Sequence, residues 1–387
     1  MLSLATFVAL GLPDGMLGTA WPSLRHSFGA PVGAMGLILL VSTAGSVLVT
    51  LFVGYLIRRL GVSVLLAAGL ASAALAAAGF AAAPVFAVVL AVALLFGVGA
   101  GLMDGGLNTA VGLSGRRRLL NLLHGAYGVG TAIGPLVVIL ALLVGSWRPA
   151  YVVLVAVDVV LGGLWLLHRR GVVARPAAPR PADADPDPDP ESDADPDPGP
   201  RYLMPIVAGI AVFFVYTGLE VSAGQWETTF ARGQLGLSQT AAGLATFGYW
   251  AALTAARFVL ALMRRPPSHT GVVRWGCGLS VVAAGLIWWD PATAVTVAAF
   301  VLMGAALAGV FPALIALTPH RLGERRASDV IAWQVGAAAA GGAAISALVG
   351  LFIGTGGVGT LGPSVTVLAV LLVVLEVVLA RLAPAAV

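Results

Sequence analysis

Apolar runs of about 20 residues, the length that crosses a bilayer as a helix, follow one another along nearly the whole chain, and most of the charge sits in the short stretches between them. A soluble domain carries about 25% charged residues; here they make up 10% of 387 residues, against 59% hydrophobic. With a mean hydropathy of +0.99, a water-soluble fold of this length would have to bury more apolar surface than its volume allows. Lipid is therefore the solvent for most of the surface. Runs bounded by Arg, Pro or Gly clusters predict spans over 2–24, 32–57, 62–82, 85–112, 119–145, 148–168, 202–230, 239–263, 271–289, 292–317, 327–353 and 362–382. The expected fold class is an all-α membrane protein of twelve transmembrane helices. Phe311-Pro312 predicts a kink in the tenth.

All 21 basic residues are arginine. With the N-terminus cytoplasmic, sixteen face inside: Arg58, Arg59, Arg116, Arg117, Arg118, Arg169, Arg170, Arg175, Arg180, Arg201, Arg264, Arg265, Arg321, Arg325, Arg326 and Arg381. Arg25, Arg148 and Arg232 face outside, and Arg257 and Arg274 fall within spans. That asymmetry is the positive-inside pattern of a multi-pass protein with both termini cytoplasmic. It also explains the pI of 9.7 without a nucleic-acid partner. A bacterial inner membrane is the expected location. The single cysteine, Cys277, excludes an internal disulfide and a multi-cysteine metal site, and its apolar neighbours make it a small packed hydrophobe. The first run holds Asp14 and has no Ala-x-Ala-like site, so it reads as a retained helix.

Residues 182–200 (ADADPDPDPESDADPDPGP) alternate acid and proline. Missing backbone donors and like charges make this an extended, solvated spacer. Placed after six spans, it divides the chain into a six-helix bundle over 1–168, a disordered cytoplasmic linker over 169–201 and a second bundle over 202–387. The halves are weakly alike. Gly11-Leu12, Asp14 and Trp21 parallel Gly218-Leu219, Glu220 and Trp226, and His124 to Gly134 parallels Gln334 to Gly342. Such repeats, with a midplane site between them, are common in secondary transporters.

Ionisable groups within spans cost about 2.5–3.5 kcal/mol each on insertion scales, so each needs a reason. Asp14 stands mid-span beside Pro13, Gly11, Gly15 and Gly18. It either caps a local break in the helix or accepts protons and substrate at a wet cavity. Asp104 and Asn108 are one turn apart and share a helix face; an acid and an amide so placed suit hydrogen bonds to hydroxyls, or glue helices together. Asn121 and His124 share a face of the fifth span, where His124 is placed to pair with Asp104 or to pack. Glu220 with Gln225 and Trp226, then Tyr249 and Trp250, offer an acid, an amide and aromatic faces for stacking. Gln334 adds another amide, Arg257 either pairs with Glu220 or Asp290 or is a structural charge near the inner end of its helix, and Trp288 and Trp289 read as interfacial belt residues. No phosphate-binding loop, zinc spacing or Ser-His-Asp arrangement occurs, so neither an ATP-driven pump nor an enzyme is expected, and no cofactor or metal.

With six plus six helices, a central linker and an inward N-terminus, the chain resembles the major facilitator superfamily and implies its fold of two pseudo-symmetric bundles. GYLIRRLGVSVLL, from Gly54 to Leu66, resembles that superfamily's signature between helices two and three. Arg58 stands where the family has aspartate, while Arg59 and Gly61 keep the basic end; Gly54, Arg58, Arg59 and Gly61 are thus implied as a conformational loop. Asp14, Asp104 with Asn108, and the stretch from Asn121 to Pro135 look most like the fucose permease and sodium/glucose-transporter-like branch, which commonly has glutamate in place of Asp104.

This resemblance implies proton-coupled uptake of a sugar or similar polyhydroxylated solute, with Asp14 and Asp104 as coupling or binding acids; a monomer is expected, and sodium stays open in place of protons. Asp14, Asp104 and Glu220 would couple protons; Asn108, Asn121, His124, Gln225, Trp226, Tyr249 and Gln334 would bind the solute. The alternative on the same fold is a proton-driven exporter of drugs or metabolites. A non-transporting sensor is disfavoured by the cost of several intramembrane acids.

Overall fold

The computed structural model describes residues 1–113, 117–168, 200–265 and 267–383. They form α1 (Leu2–Phe28), α2 (Met35–Thr50), α3 (Val53–Leu60), α4 (Val62–Ala82), α5 (Phe86–Leu113), α6 (Arg117–Leu143) and α7 (Arg148–His168), then α8 (Pro200–Gly233), α9 (Gln239–Leu262), α10 (His269–Trp289), α11 (Thr293–Leu307), α12 (Val310–Leu322), α13 (Glu324–Gly356) and α14 (Leu361–Leu382). Twelve segments are long and apolar enough to span a bilayer, α11 and α12 together making one of them. Among the described residues there is no strand. The expected linker over 169–201 falls, up to residue 199, outside the described residues.

Up-and-down threading gives the bundle two ends. One, the termini face, carries Met1, the α3–α4 turn, the ends of α5, α9 and α14 and the starts of α6 and α10. The opposite face carries Gly29, residues 144–147, 234–238 and 290–292, and Gly357.

Lipid gives no hydrophobic drive for helices to meet, so close backbone approach does the work. In the first half α1 and α6 interlock through glycine: a methyl built on Gly15 would stand 1.9 Å from the Thr131 carbonyl oxygen, and one on Gly130 2.0 Å from that of Val8. The second half repeats this in α8 and α13, where Gly341 lies against the Phe214 carbonyl. The parallel read between 11–21 and 218–226 is thus a parallel of packing as well as of residues. Trp21 and Trp226 are both fully buried. The Trp21 indole donates to the Val32 carbonyl at 2.9 Å, that of Trp226 to Ser346 at 3.0 Å.

The tenth span breaks one turn before the expected kink. Pro312 has no N–H to give the Ala308 carbonyl four residues back, so α11 stops at Leu307 and α12 starts at Val310. Elsewhere, Arg321 of α12 meets Glu376 of α14 at 2.7 Å in a buried pair. Cys277 is buried and free, and Trp288 and Trp289 are exposed at the end of α10.

Candidate functional site between the two halves

Asp14 sits halfway along α1, and the glycine seam with α6 brings Tyr127 to it. The phenol donates to Asp14 Oδ2 at 2.5 Å. Asp14 also borders a cavity of about 40 Å³ with Leu17, Ile38, Ser42, Phe96 and Tyr151. It is exposed despite its mid-helix position, which fits a group facing an internal opening.

Asp104, on α5, lies closer to the termini face. Asn108 Nδ2 donates to its Oδ1 at 2.9 Å, so the shared helix face read from the sequence is a bonded pair. The Asn108 Oδ1 has no partner and remains available to a donor. His124 of α6 stands edge-on to Phe7, ring centroids 6.0 Å apart. It lies within electrostatic reach of both Asp104 and Arg257. No direct Asp104–His124 hydrogen bond is present among the described residues.

The second half answers with a cation. Arg257 of α9 donates from Nη2 to Glu220 Oε2 at 3.2 Å and from Nε to the Ala308 carbonyl at 3.1 Å. That carbonyl is the one orphaned by Pro312, so the helix break and the guanidinium satisfy each other. Tyr216 lies against the same Glu220 oxygen, and its hydroxyl also reaches the Leu307 carbonyl at 2.9 Å. Of the two partners open to Arg257, Glu220 is the one taken; Asp290 instead accepts from Thr296 Oγ1 at 2.6 Å and Gln234 Nε2 at 3.4 Å. Tyr127, bonded to Asp14, feels the charge of Glu220. The acids of α1, α5 and α8 thus belong to one neighbourhood spanning both halves.

Several residues expected to bind solute are placed elsewhere. Trp226 is fully buried and turned onto α13, with Gly350 under its ring, so it is no stacking face. Tyr249 is fully buried too, its hydroxyl donating to the Glu220 backbone carbonyl at 2.8 Å. Gln334 is 2% exposed and accepts from Thr318 at 3.0 Å, facing Gly209 inside the second half. Helical spacing put these side chains on their helices, but which face meets the cavity is set by packing. Gln225 does join the halves: its Nε2 donates to the Asp14 carbonyl at 2.7 Å, over the space left by Gly18. The Asn121 side chain lies outside the described residues. At the loop, Gly61 has φ 76°, Arg59 covers the Tyr55 ring at 5.5 Å, and Gly54 and Arg58 lie side by side.

On the opposite face the halves are closed. Gln239 Nε2 donates to the Thr19 carbonyl at 2.9 Å, Thr228 lies 3.4 Å from Thr19 and 2.7 Å from Thr246, and Gly36 and Gly33 press against Ala347 and Gly350. The sequence reading missed Tyr127, Tyr216 and the Ala308 carbonyl as the second partner of Arg257. The signal for Tyr127 was its place in the glycine-spaced stretch of the fifth span; Tyr216 sits one turn before Glu220.

Comparison with known proteins agrees with this architecture. The family model described as Major Facilitator Superfamily matches residues 2–347. A search of curated proteins finds no match. Among solved structures, the nucleoside transporter NupG superposes with a TM-score of 0.70 at 14% identity, covering 98% of each chain. The E. coli fucose:proton symporter FucP superposes with a TM-score of 0.63 at 16% identity, covering 99% of this chain and 98% of that one. At these identities the likeness speaks for the fold.

Proposed function

The chain belongs to the Major Facilitator Superfamily, and from that premise we propose that it is a secondary active transporter that takes up a small hydroxylated solute, a sugar or a nucleoside, together with protons. The observation that carries the reading is the unequal pairing of the midplane acids. Glu220 has a guanidinium partner, whereas Asp14 has only a phenol and Asp104 an amide with a histidine nearby. An ionised carboxylate without a cation is costly in a dry, closed intermediate, and a neutral one far less so. Protonation of Asp14 and Asp104 is therefore the condition on which the halves close around the solute. The solute fills the space between Asp14, Asp104, Asn108, His124 and Arg257, whose donors and acceptors suit hydroxyls. Both solved relatives carry such cargo by name.

Alternation swaps the closed opposite face for a closed termini face. The first is held by Gln225, Gln239 and the Thr19–Thr228–Thr246 hydroxyls. The arginine asymmetry orients the termini face to the cytoplasm of a bacterial cell, which makes the present state closed to the outside. Residues 1–168 and 202–387 act as the two rocking bodies, joined through residues 169–201.

The test is uptake by proteoliposomes under an imposed pH gradient, with a panel of monosaccharides and nucleosides and sodium replaced by choline. Gradient-driven accumulation of one panel member, lost in Asp14→Asn and Asp104→Asn, is expected. Uptake indifferent to the gradient would overturn proton coupling. Extrusion of lipophilic cations, with every panel member refused, would favour an exporter.

A further inference from the structure

Glu227 lies on α8 and is 0% exposed, and neither carboxyl oxygen has a partner. It shares a helix face with Gly224 and Glu220, at spacings of three and seven residues. Gly224 leaves a gap on that face into which the rings of Tyr249 and Trp250 fit. Tyr249 lies within electrostatic reach of both Glu220 and Glu227, and its hydroxyl is tied to the Glu220 carbonyl. One acid on this face is thus paired with Arg257 at the site. The other stands behind the Tyr249 ring, six residues or about 9 Å along the helix from the end of α8 at the opposite face.

A fully buried carboxylate with no cation and no donor is the costliest arrangement a membrane interior can hold, and the neutral acid is the form that such a place tolerates. The surroundings supply no compensating charge. From α9 the titratable neighbour is Tyr249. Along α8 the nearest charges are Glu220 and its partner Arg257, and on α1 Asp14 stands beyond Gln225. The segment α11 has no titratable residue, and α13 and α14 carry theirs in the turns near the termini face. A structural role would give the carboxyl a bonded partner, as Glu376 has in Arg321.

We infer that Glu227 is a second proton-binding site, set between the opposite face and the Glu220–Arg257 pair. When water reaches it, a carboxylate oxygen takes a proton from hydronium, an O–H bond forms and water is released; the closed state holds the neutral acid. This deepens the proton-coupled reading above and rests on it.

The experiment is infrared titration of the detergent-purified full chain carrying carboxyl-13C glutamate, which moves glutamate bands away from those of aspartate. The chain has five glutamates; Glu220 and Glu376 are ion-paired, while Glu191 and Glu324 lie outside the predicted spans. A protonated-glutamate carbonyl band at neutral pH, lost on alkaline titration and missing in Glu227→Gln, is expected. Absence of the band in the unsubstituted protein would overturn the inference, as would a band that persists at every pH. Where Glu227→Gln fails to fold, the labelled unsubstituted chain decides alone. In proteoliposomes, Glu227→Gln should keep exchange of whichever panel solute is transported and lose its gradient-driven accumulation. Uptake by the unsubstituted chain that ignores the gradient would instead defeat the proton-coupled reading, leaving the infrared result to speak for the site.

Discussion

Replacing Arg257 by methionine keeps the length of the side chain and removes its charge and donors. Two groups lose the guanidinium: Glu220 Oε2 at 3.2 Å, which keeps only the Tyr216 hydroxyl, and the Ala308 carbonyl at 3.1 Å. Breaking one member of a fully buried pair costs about 3–5 kcal/mol. The side chains here are 24% and 14% exposed, so about 2 kcal/mol is the appropriate share after solvent screening. The orphaned carbonyl, which Pro312 leaves without an internal donor, adds about 1 kcal/mol. Arg257→Met should therefore destabilise the second half by about 3 kcal/mol, combining these losses. Adding Glu220→Gln removes the stranded charge and should recover about half of that loss, a coupling typical of residues in contact. The assay is built into the chain: Cys277 is its one cysteine and is 3% exposed, so a fluorogenic thiol reagent reports unfolding in a thermal ramp. The midpoints should fall in the order unsubstituted, double variant, Arg257→Met. A single variant that melts with the unsubstituted protein, or a double variant that melts below the single, would refute the reasoning.

Three further outcomes follow from the packing. Gly15→Ala would drive a methyl into the Thr131 carbonyl at 1.9 Å and part α1 from α6, whereas Gly163→Ala meets nothing within 4 Å; size-exclusion profiles should degrade for the first and stay unchanged for the second. Cysteines at Gly36 and Ala347 would have Cβ atoms about 2.7 Å apart, within about 1 Å of the usual disulfide spacing. Their oxidation should lock the opposite face and stop transport until a reductant is added, and transport that continues in the cross-linked protein would contradict the rocking scheme. Trp226→Phe should lower the melting midpoint, through loss of its bonds to Ser346, while leaving the half-saturating solute concentration unchanged. A large shift in that concentration would return Trp226 to the binding site.

Much of this architecture is legible in the sequence because the bilayer imposes it. Twelve helices follow from twelve apolar runs, and Asp14, Asp104 and Glu220 stand out because charge is expensive where they lie. What the sequence does not reveal is direction around each helix. Gln225 and Trp226 are neighbours about 100° apart, so they cannot both face the other half; Gln225 reaches Asp14 while Trp226 turns to α13. Gln334 and Tyr249 likewise face inward within their own half. Pairings distant in sequence, such as Tyr127 with Asp14 across 113 residues, depend on the glycine seam that joins α1 to α6. The Ala308 carbonyl that holds Arg257 is foreshadowed by Pro312, but which donor reaches it is not.

The central claim is that solute and proton move together through Asp14. It is tested most directly by a pH electrode in weakly buffered medium around proteoliposomes, to which the transported solute is added without an imposed gradient. The account predicts alkalinisation of the medium in step with solute entry, absent in Asp14→Asn. Solute entry with no pH change, or an unchanged alkalinisation in Asp14→Asn, would contradict it.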